Sequence, residues 1–218
     1  MTITHVFFDV GGVLGNNGWD RGERAETARH FGLDVDELEE MHGESVSMLE
    51  MGRITLEEYL RTAVFYRPRP FTIDAFKSHM LSLSQPFPET IALAHELART
   101  GRYRLMTLNN ESAELNQYRL DRFGLRDIFV AFFSSCWVGA LKPARRIYEV
   151  ALAIAQADPG ASVFIDDRVR NLEPARQLGM QTIHFTDAAR LREELARVGV
   201  ATTGPFTATT GDGSCNSP

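Results

Sequence analysis

The sequence predicts an α/β fold in which a parallel β-sheet core carries an inserted all-helical segment. Over residues 86–198, strand-like apolar runs alternate with helical stretches, a pattern that predicts parallel strands joined by helices. A further apolar run at residues 5–8 stands near the N-terminus and is followed by Asp9, Gly11 and Gly12. Between these regions, residues 21–83 show helical signals and no convincing strand, so we expect the insertion to span residues 16–85.

Capping signals divide the insertion into about four helices. Asp34 with Glu37, and Thr55 with Glu58, have the spacing of a capping box. An Arg-Pro repeat at residues 67–70 breaks the helical pattern, because proline removes a backbone donor.

The remaining elements belong to the predicted core, which comprises residues 1–15 and 86–198. They are a helix from Pro88 to Gly101, a strand at 103–108, a helix at 113–123, a strand at 128–133, a helix from Pro143 to Ala155, a strand at 162–165, a further helix, a strand at 181–185 and a last helix at 187–198. Beyond them the chain is rich in Thr, Gly and Ser, so we expect residues 199–218 to be a flexible tail.

Composition narrows the class of protein. The 44% apolar and 24% charged fractions are those of an ordinary soluble globular protein. The net charge of −6, with acids and bases interspersed, argues against nucleic acid as a partner. The apolar runs fall short of the ~20 residues that span a membrane, no secretory signal is visible, and the two cysteines give neither a disulfide framework nor zinc spacing. We expect a cytoplasmic monomer or weak homodimer with no membrane partner.

Polar residues follow four of the predicted strands. They are Asp9, the pair Asn109 and Asn110, Lys142, and the pair Asp166 and Asp167. The carboxyl ends of parallel strands lie at one edge of a sheet, so these side chains should meet. Three acids there would repel one another without a cation, and their oxygen ligands suit Mg²⁺. A lysine beside them would hold Asp9 ionised and attract an anionic substrate.

Each of these residues also has an ordinary structural interpretation. Asp9 is equally acceptable as a turn residue, and Asp166 or Asp167 as the cap of the following helix. Lys142 is acceptable as a solvated loop residue. Four such clusters at one sheet edge favour a functional site over four independent coincidences.

The same residues resemble the four ordered motifs of the haloacid dehalogenase (HAD) superfamily, which consists mainly of phosphatases with a Rossmann-like core. The first motif, D-x-D-G-[TV]-[LV], is met by residues 9–14 except at its second acid, where Gly11 stands. The second, a strand ending in Ser/Thr-Asn, matches residues 108–110 with Asn109 in place of the hydroxyl. The third is met by Lys142 and Pro143, and the fourth by Asp166 and Asp167 with Asn171. Residues 16–85 resemble the family's helical cap, and residues 163–180 are similar to the phosphatase domain of soluble epoxide hydrolases.

The resemblance implies a mechanism and a set of site residues. Asp9 would attack phosphorus to form an aspartyl-phosphate that water then hydrolyses. The implied Mg²⁺ ligands are Asp9, the carbonyl of Gly11, Asp166 and Asp167. The implied phosphate-binding residues are Gly11, Gly12, Asn109, Asn110 and Lys142, of which Asn109 and Lys142 would also stabilise charge during catalysis. If the second motif is displaced, Thr107 takes the role of Asn109, because it lies two residues earlier on the same side of the strand.

Gly11 is the main departure from the family pattern. The acid normally found there protonates the leaving group and later activates water, and losing such a group costs roughly 10²–10⁴ in rate. We therefore predict either substrates whose leaving groups need little protonation, such as aryl, acyl or anomeric phosphates, or an acid supplied by the helical cap. The candidates in the cap are Glu23, His30, His42 and Glu44.

Two other functions stay open at this point. In a 2-haloacid dehalogenase the same aspartate attacks carbon and halide leaves without a proton, but no metal is needed, whereas the pair Asp166 and Asp167 argues for one. A non-catalytic binding or regulatory protein of this fold has no need of buried acids that face each other. The sequence favours a Mg²⁺-dependent phosphatase that acts on a small phosphorylated metabolite, and the loss of the usual acid at Gly11 would slow it.

Overall fold

The computed structural model describes residues 2–202 and has a parallel sheet at its centre. Within this range five strands pair in the order β3-β2-β1-β4-β5. They are β1 (His5–Phe8), β2 (Arg104–Asn109), β3 (Ala131–Ser134), β4 (Ser162–Asp166) and β5 (Gln181–His184). Every pairing is parallel, and Phe8 of the central strand lies opposite Thr107 on one side and Ile165 on the other. The predicted α/β fold class is confirmed.

Residues 16–85, the predicted insertion that is called the cap below, contain helices α1 (Arg21–Phe31), α2 (Val35–Glu50), α3 (Leu56–Ala63) and α4 (Ile73–Ser82). Asp34 caps α2 by accepting a hydrogen bond from the Glu37 N–H, and Thr55 with Glu58 completes a capping box on α3. The four helices pack around an apolar cluster that includes Trp19, Tyr59 and Phe76, and Leu115 of the core also joins it. This cluster lets the cap fold as a layer beside the sheet.

Six further helices complete the core within the described residues. They are α5 (Pro88–Arg99), α6 (Ala113–Arg122), α7 (Ser135–Val138), α8 (Arg145–Ala155), α9 (Val169–Gln177) and α10 (Ala188–Arg197). Side chains of β1 alternate between the two faces of the sheet, with Val6 and Phe8 packing among residues of α5, α6 and α10, and Phe7 among residues of α8 and α9. Burial on both faces explains why this strand is a continuous apolar run.

Several predicted boundaries differ from the structure, and two of the differences have a clear physical reason. The strand expected at residues 128–133 begins at Ala131, because Ile128 and Phe129 follow a 3₁₀ turn (Leu125–Asp127) and bury their side chains in the core without joining the sheet. The helix expected to open at Pro143 begins at Arg145, after a turn in which the Ala144 N–H donates to the Leu141 carbonyl.

The C-terminal segment packs against the core for as far as it is described. Val200 is buried among core residues, and the Ala201 N–H donates to the Tyr103 hydroxyl over 2.9 Å. Most of the predicted tail, residues 203–218, lies outside the described residues. No helix within residues 2–202 has both the length and the apolar character that crossing a membrane requires.

The cap joins the core through two linkers that are bonded to each other. The Asn16 N–H donates to the Gln85 carbonyl over 2.9 Å, and the Phe87 N–H donates to the Leu14 carbonyl over 2.8 Å. Arg119 of α6, fully buried, donates to the Ser84 hydroxyl over 2.7 Å and to the Asn16 carbonyl over 2.6 Å. A single guanidinium therefore contacts both linkers and the core.

Candidate active site

Three of the polar side chains that follow the strands form one buried charge cluster. The Lys142 Nζ lies 2.8 Å from Asp9 Oδ2 and 2.6 Å from Asp166 Oδ2. All three residues are buried, and they come from the loop after β1, the loop that follows α7, and the end of β4. One ammonium group therefore bridges two carboxylates at the carboxyl edge of the sheet.

Asp166 is held in place by donors from the loop and helix that follow it. It accepts from the Arg168 N–H over 2.8 Å and from Asn171 Nδ2 over 3.0 and 3.1 Å. The Asn171 carbonyl in turn accepts from the Tyr148 hydroxyl over 2.7 Å. Asp166 thus serves as a fixed anchor for Lys142.

Asp167 completes a group of three carboxylates that suits a divalent cation. Oxygens of Asp9, Asp166 and Asp167 all lie within 4.8 Å of one another. Within residues 2–202, no donor reaches the buried Oδ1 of Asp167. Three carboxylates and one ammonium leave an excess of negative charge, and hard oxygen ligands of this kind match Mg²⁺. The residues present therefore fit that ion.

Burial strongly affects the protonation of this cluster. Burial raises the pKa of Asp9 to about 8, because the opposing Lys142 ammonium does not offset it and the other two carboxylates add to it. Burial and the neighbouring Asp166 also raise the pKa of Asp167. For Lys142, burial lowers the pKa but the carboxylates of Asp9 and Asp166 outweigh it, so the net pKa is raised. A bound cation would lower the pKa of Asp9 and favour the ionised, nucleophilic form.

The two glycines after Asp9 have different steric surroundings. Gly12 has a positive φ of 77°, and a Cβ built there would overlap the carboxylate of Asp167. A Cβ built at Gly11 would lie 3.1 Å from Asn17 Oδ1 and 3.6 Å from Arg119 Nη1. Position 12 therefore requires glycine, whereas position 11 has room for a side chain if Asn17 yields slightly.

Gly12→Ala is expected to weaken Mg²⁺ binding about 10- to 100-fold, the usual cost of disturbing a residue that orients a ligand. The added methyl group would displace the Asp167 carboxylate. Isothermal titration of Mg²⁺ measures the effect, and Gly43→Ala serves as the control because a Cβ there meets nothing within 4 Å. Equal affinities for both variants would contradict the placement of Asp167 in the metal site.

A cavity of about 310 Å³ opens between the sheet edge and the cap. Its lining is mainly polar and comes from both layers. The core contributes Asp9, Gly11, Asn110, Glu111, Lys142 and Arg168, and the cap contributes Trp19, Arg24, His42, Leu49 and Glu50, among others. The volume and the polarity suit a small, charged or hydroxyl-bearing molecule.

The two asparagines of the second motif make different contacts. Asn110 lines the cavity, and its side chain exchanges two hydrogen bonds with the backbone of Lys142, over 2.8 and 3.0 Å. Asn109 is buried and donates to Asn116 Oδ1 over 3.0 Å. Of the residues described, neither Asn109 nor Thr107 is among those that line the cavity. The structure thus brings Asn110 to the cavity and the Lys142 loop, and a phosphate-binding role for Asn109 stays a prediction.

Of the four cap residues suggested as replacement acids, His42 lines the cavity. Burial lowers the pKa of His42 to about 4, so its ring is neutral near pH 7 and has no imidazolium proton to give. Within the described part of the chain, Glu23, His30 and Glu44 do not line the cavity. The Glu23 carboxylate accepts from Asn16 Nδ2 over 3.0 Å.

The residues that the sequence did not single out include Glu111, which lines the cavity, and Arg119, which pairs with it. Glu111 is buried, and its Oε2 lies 3.2 Å from Arg119 Nη1. Burial raises the pKa of Glu111 to about 7, although the Arg119 guanidinium opposes the change. Position is the signal that could have found Glu111, since it directly follows Asn110 after the end of a strand.

The fold, the buried lysine and the carboxylates together correspond to one protein family. A model of haloacid dehalogenase-like hydrolases matches residues 3–179. The chain belongs to this family.

Particular relatives include both epoxide hydrolases and phosphatases. The chain is 28% identical to bifunctional epoxide hydrolase 2 of Mus musculus over 217 residues, covering 91% of this chain and 39% of that protein. It thus spans about two-fifths of that relative's length. It is 24% identical over 202 residues to D-ribitol-5-phosphate phosphatase of Bacteroides thetaiotaomicron, covering 88% of this chain and 97% of the relative.

Solved structures share the fold without separating the possible activities. A magnesium complex of a HAD-family enzyme from Bacteroides thetaiotaomicron superposes with a TM-score of 0.75 at 23% identity, covering 90% of this chain and all of that one. An L-2-haloacid dehalogenase superposes with a TM-score of 0.61 at 20% identity, covering 83% of each chain. The choice between these activities therefore rests on the site itself.

Proposed function

We propose that this protein is a Mg²⁺-dependent phosphatase that hydrolyses small phosphate monoesters through an aspartyl-phosphate on Asp9. The observation that carries the proposal is the buried Asp9–Lys142 pair beside the carboxylates of Asp166 and Asp167. That arrangement combines a nucleophile, a fixed cation and a donor set for Mg²⁺. The relative named as a D-ribitol-5-phosphate phosphatase and the magnesium in the related crystal structure support it.

Neighbouring groups hold both oxygens of the Asp9 carboxylate and so fix its orientation for attack. Oδ1 accepts from the Val10 N–H over 2.8 Å, and Oδ2 faces Lys142. In the proposed reaction Asp9 forms a bond to phosphorus as the leaving group departs, and water then attacks the same phosphorus, releasing phosphate and restoring Asp9. Mg²⁺ held by Asp9, Asp166, Asp167 and the Gly11 carbonyl would neutralise charge on the phosphoryl oxygens.

Positive side chains around the cavity suit a doubly charged phosphate. Lys142 sits at the base of the site, and Arg168 and Arg170 also line it. Arg168 is partly neutralised by Asp20 of the cap, whose Oδ2 lies 3.1 Å from its Nη2. These cations would stabilise the negative oxygens during phosphoryl transfer.

The carboxylate of Asp167 favours this function over dehalogenation. A metal-independent dehalogenase needs the nucleophile and a site for halide, and a second carboxylate beside the nucleophile would repel an anionic 2-haloacid. A buried oxygen without a donor among residues 2–202 is instead what a cation site requires. The proposed substrate is a small phosphorylated metabolite. We propose no nucleic acid or membrane partner for the protein, and its monomeric or weakly dimeric state stays a prediction.

A panel of phosphate monoesters and 2-chloropropionate, assayed with and without Mg²⁺, tests the function. We expect phosphate release that needs both Mg²⁺ and Asp9, and no chloride release. Chloride release without Mg²⁺, together with no hydrolysis of any phosphate ester, would establish the dehalogenase alternative. Absence of both activities would reject both enzymatic assignments.

Binding of Mg²⁺ is expected to raise the melting temperature of the protein by roughly 5–10 °C at 100 times the dissociation constant, since this stabilises the folded state by about 2.7 kcal/mol. Asp167→Asn should remove most of the shift. Asp127→Asn, at an exposed position, should keep it. Differential scanning calorimetry measures the melting temperature of the wild type and both variants with and without Mg²⁺. A full shift in Asp167→Asn would contradict the role of Asp167 as a metal ligand.

A further inference from the structure

We propose that Glu111 is the general acid and base of this enzyme and replaces the acid that is missing at Gly11, an inference that rests on the proposed phosphatase function. Glu111 directly follows β2 and Asn110, at the same edge of the sheet as Asp9. It lines the cavity together with Asp9 and Gly11. The acid would therefore come from the core rather than from the cap.

Arg119 lies close both to Glu111 and to the space that a side chain at position 11 would occupy. A Cβ built at Gly11 would lie 3.6 Å from Arg119 Nη1, and the same nitrogen lies 3.2 Å from Glu111 Oε2. A carboxylate extending from position 11 and the carboxylate of Glu111 would therefore share one guanidinium. The two acids would therefore lie beside the same nitrogen of Arg119.

The surroundings of Glu111 suit a group that both gives and takes a proton. Its Oε1 accepts from the Ser112 N–H over 3.3 Å, and Arg119 of α6 is the cation that faces it. Glu50, at the end of α2, adds negative charge from the cap. Because burial raises the pKa of Glu111 to about 7, both protonation states are populated near neutral pH, as a shuttling acid requires.

The proposed proton transfers balance over one cycle. In the first step the protonated Glu111 gives its proton to the leaving oxygen as the bond from that oxygen to phosphorus breaks and the bond from Asp9 to phosphorus forms. In the second step the Glu111 carboxylate takes a proton from water as the water oxygen bonds to phosphorus and the Asp9 bond breaks. The products are an alcohol and inorganic phosphate, and Glu111 ends protonated as it began.

Two alternatives share parts of this geometry. Glu111 as a mere countercharge for Arg119 would explain the ion pair, because Arg119 also contacts both linkers of the cap. Glu50 also lines the cavity, and burial raises its pKa. The contact of Arg119 with the space beside Gly11 favours Glu111, and the experiment has an outcome for each alternative.

Glu111→Gln keeps the size of the side chain and an oxygen for Arg119 but carries no acidic proton. With Mg²⁺ present, we expect kcat/KM for an alkyl phosphate, which reports the step in which the leaving group departs, to fall about 10²- to 10⁴-fold. The kcat/KM for p-nitrophenyl phosphate should fall far less, because its leaving group needs little protonation. By contrast, kcat should fall for both substrates, because Glu111 also activates water in the second step. Glu40→Gln, at an exposed position, is the matched control and should leave both rates unchanged.

Rescue provides a second, independent measurement. In the Glu111→Gln background, Gly11→Asp should restore hydrolysis of the alkyl phosphate, since position 11 has room for a side chain. A double variant as slow as Glu111→Gln alone would contradict the proposal. So would a leaving-group-dependent loss in Glu50→Gln but not in Glu111→Gln.

The role of Glu111 and the phosphatase activity itself are tested by different measurements. Equal losses of kcat/KM for both substrates in Glu111→Gln, with a lower melting temperature, would reduce Glu111 to a structural countercharge and leave Asp9-dependent phosphatase activity standing. A wild-type protein that hydrolyses neither substrate would overturn both proposals.

Discussion

Asp9→Asn is expected to reduce kcat for phosphate ester hydrolysis by roughly 10⁴- to 10⁶-fold, the range seen when a nucleophile of covalent catalysis is removed. Asparagine has nearly the same shape and retains an oxygen for the Val10 N–H, so the fold should be kept. Its neutral amide is not a nucleophile towards phosphorus. Steady-state kinetics with saturating Mg²⁺, together with circular dichroism of both proteins, measures the effect.

The matched control for Asp9→Asn is Asp127→Asn, which removes a carboxylate at an exposed position. It should retain the wild-type kcat. If Asp9→Asn also retained it, the covalent mechanism would be rejected, because the buried carboxylate would then have no part in the chemistry.

Lys142→Met is expected to have the second-largest effect, with a loss of about 3–5 kcal/mol in the free energy of unfolding. Methionine has a similar length but leaves the buried carboxylates of Asp9 and Asp166 without their shared cation. Catalysis should fall as well, by roughly 10²- to 10³-fold, because a fixed positive group at the phosphate is lost.

The destabilisation in Lys142→Met should depend on pH. The folded-state pKa of Asp9 is raised, so its contribution favours the folded protein below the unfolded pKa and is lost as pH rises towards about 8. Without the ammonium the pKa of Asp9 rises further, so the stability of the variant goes on falling above pH 8. Relative to the wild type, the variant should therefore lose more stability near pH 9 than near pH 5. Urea unfolding at both values measures the difference.

Lys77→Met, on α4 in the cap, is the control for Lys142→Met because Lys77 lies far along the chain from the strand ends and is not among the described residues that line the cavity. It should change neither stability nor activity appreciably. Equal and small effects in both variants would mean that Lys142 does not hold the carboxylate cluster together.

Much of the site was predictable because a parallel sheet brings the carboxyl ends of its strands to one edge. The apolar runs in the sequence locate the strands, and the residues that follow them include Asp9, Asp166 and Asp167. Lys142 differs, because the short helix α7 stands between it and β3, but its bridging contacts agree with the expected charge compensation. Local patterns are sufficient here because the carboxylates lie at or directly after the ends of buried strands.

Side-chain direction after a strand was not predictable in the same way. Asn109 and Asn110 are adjacent, yet one packs against Asn116 and the other against the Lys142 backbone. Period-two alternation places them on opposite sides but does not say which side faces the cavity, because that depends on the twist of the sheet and the path of the loop. The role assigned to Asn109 stays a prediction for this reason.

The contacts of Arg119 and Glu111 depend on residues far apart in the chain. Arg119 contacts Asn16, 103 residues away, and nothing in its local sequence indicates that it is fully buried. The raised pKa of Glu111 follows from its own burial and could not be inferred from the residue type. Tertiary packing, rather than motif spacing, therefore determines where a replacement acid lies.

Trapping the aspartyl-phosphate is the most direct test of covalent catalysis by Asp9. A single turnover of a reactive phosphate ester with Mg²⁺, quenched in acid and digested, is analysed by mass spectrometry for a peptide that carries one added phosphoryl group. We expect that group on Asp9 in the wild-type protein and its absence in Asp9→Asn. Turnover with Asp9 unmodified at every quench time, or a phosphoryl group on a different residue, would contradict it.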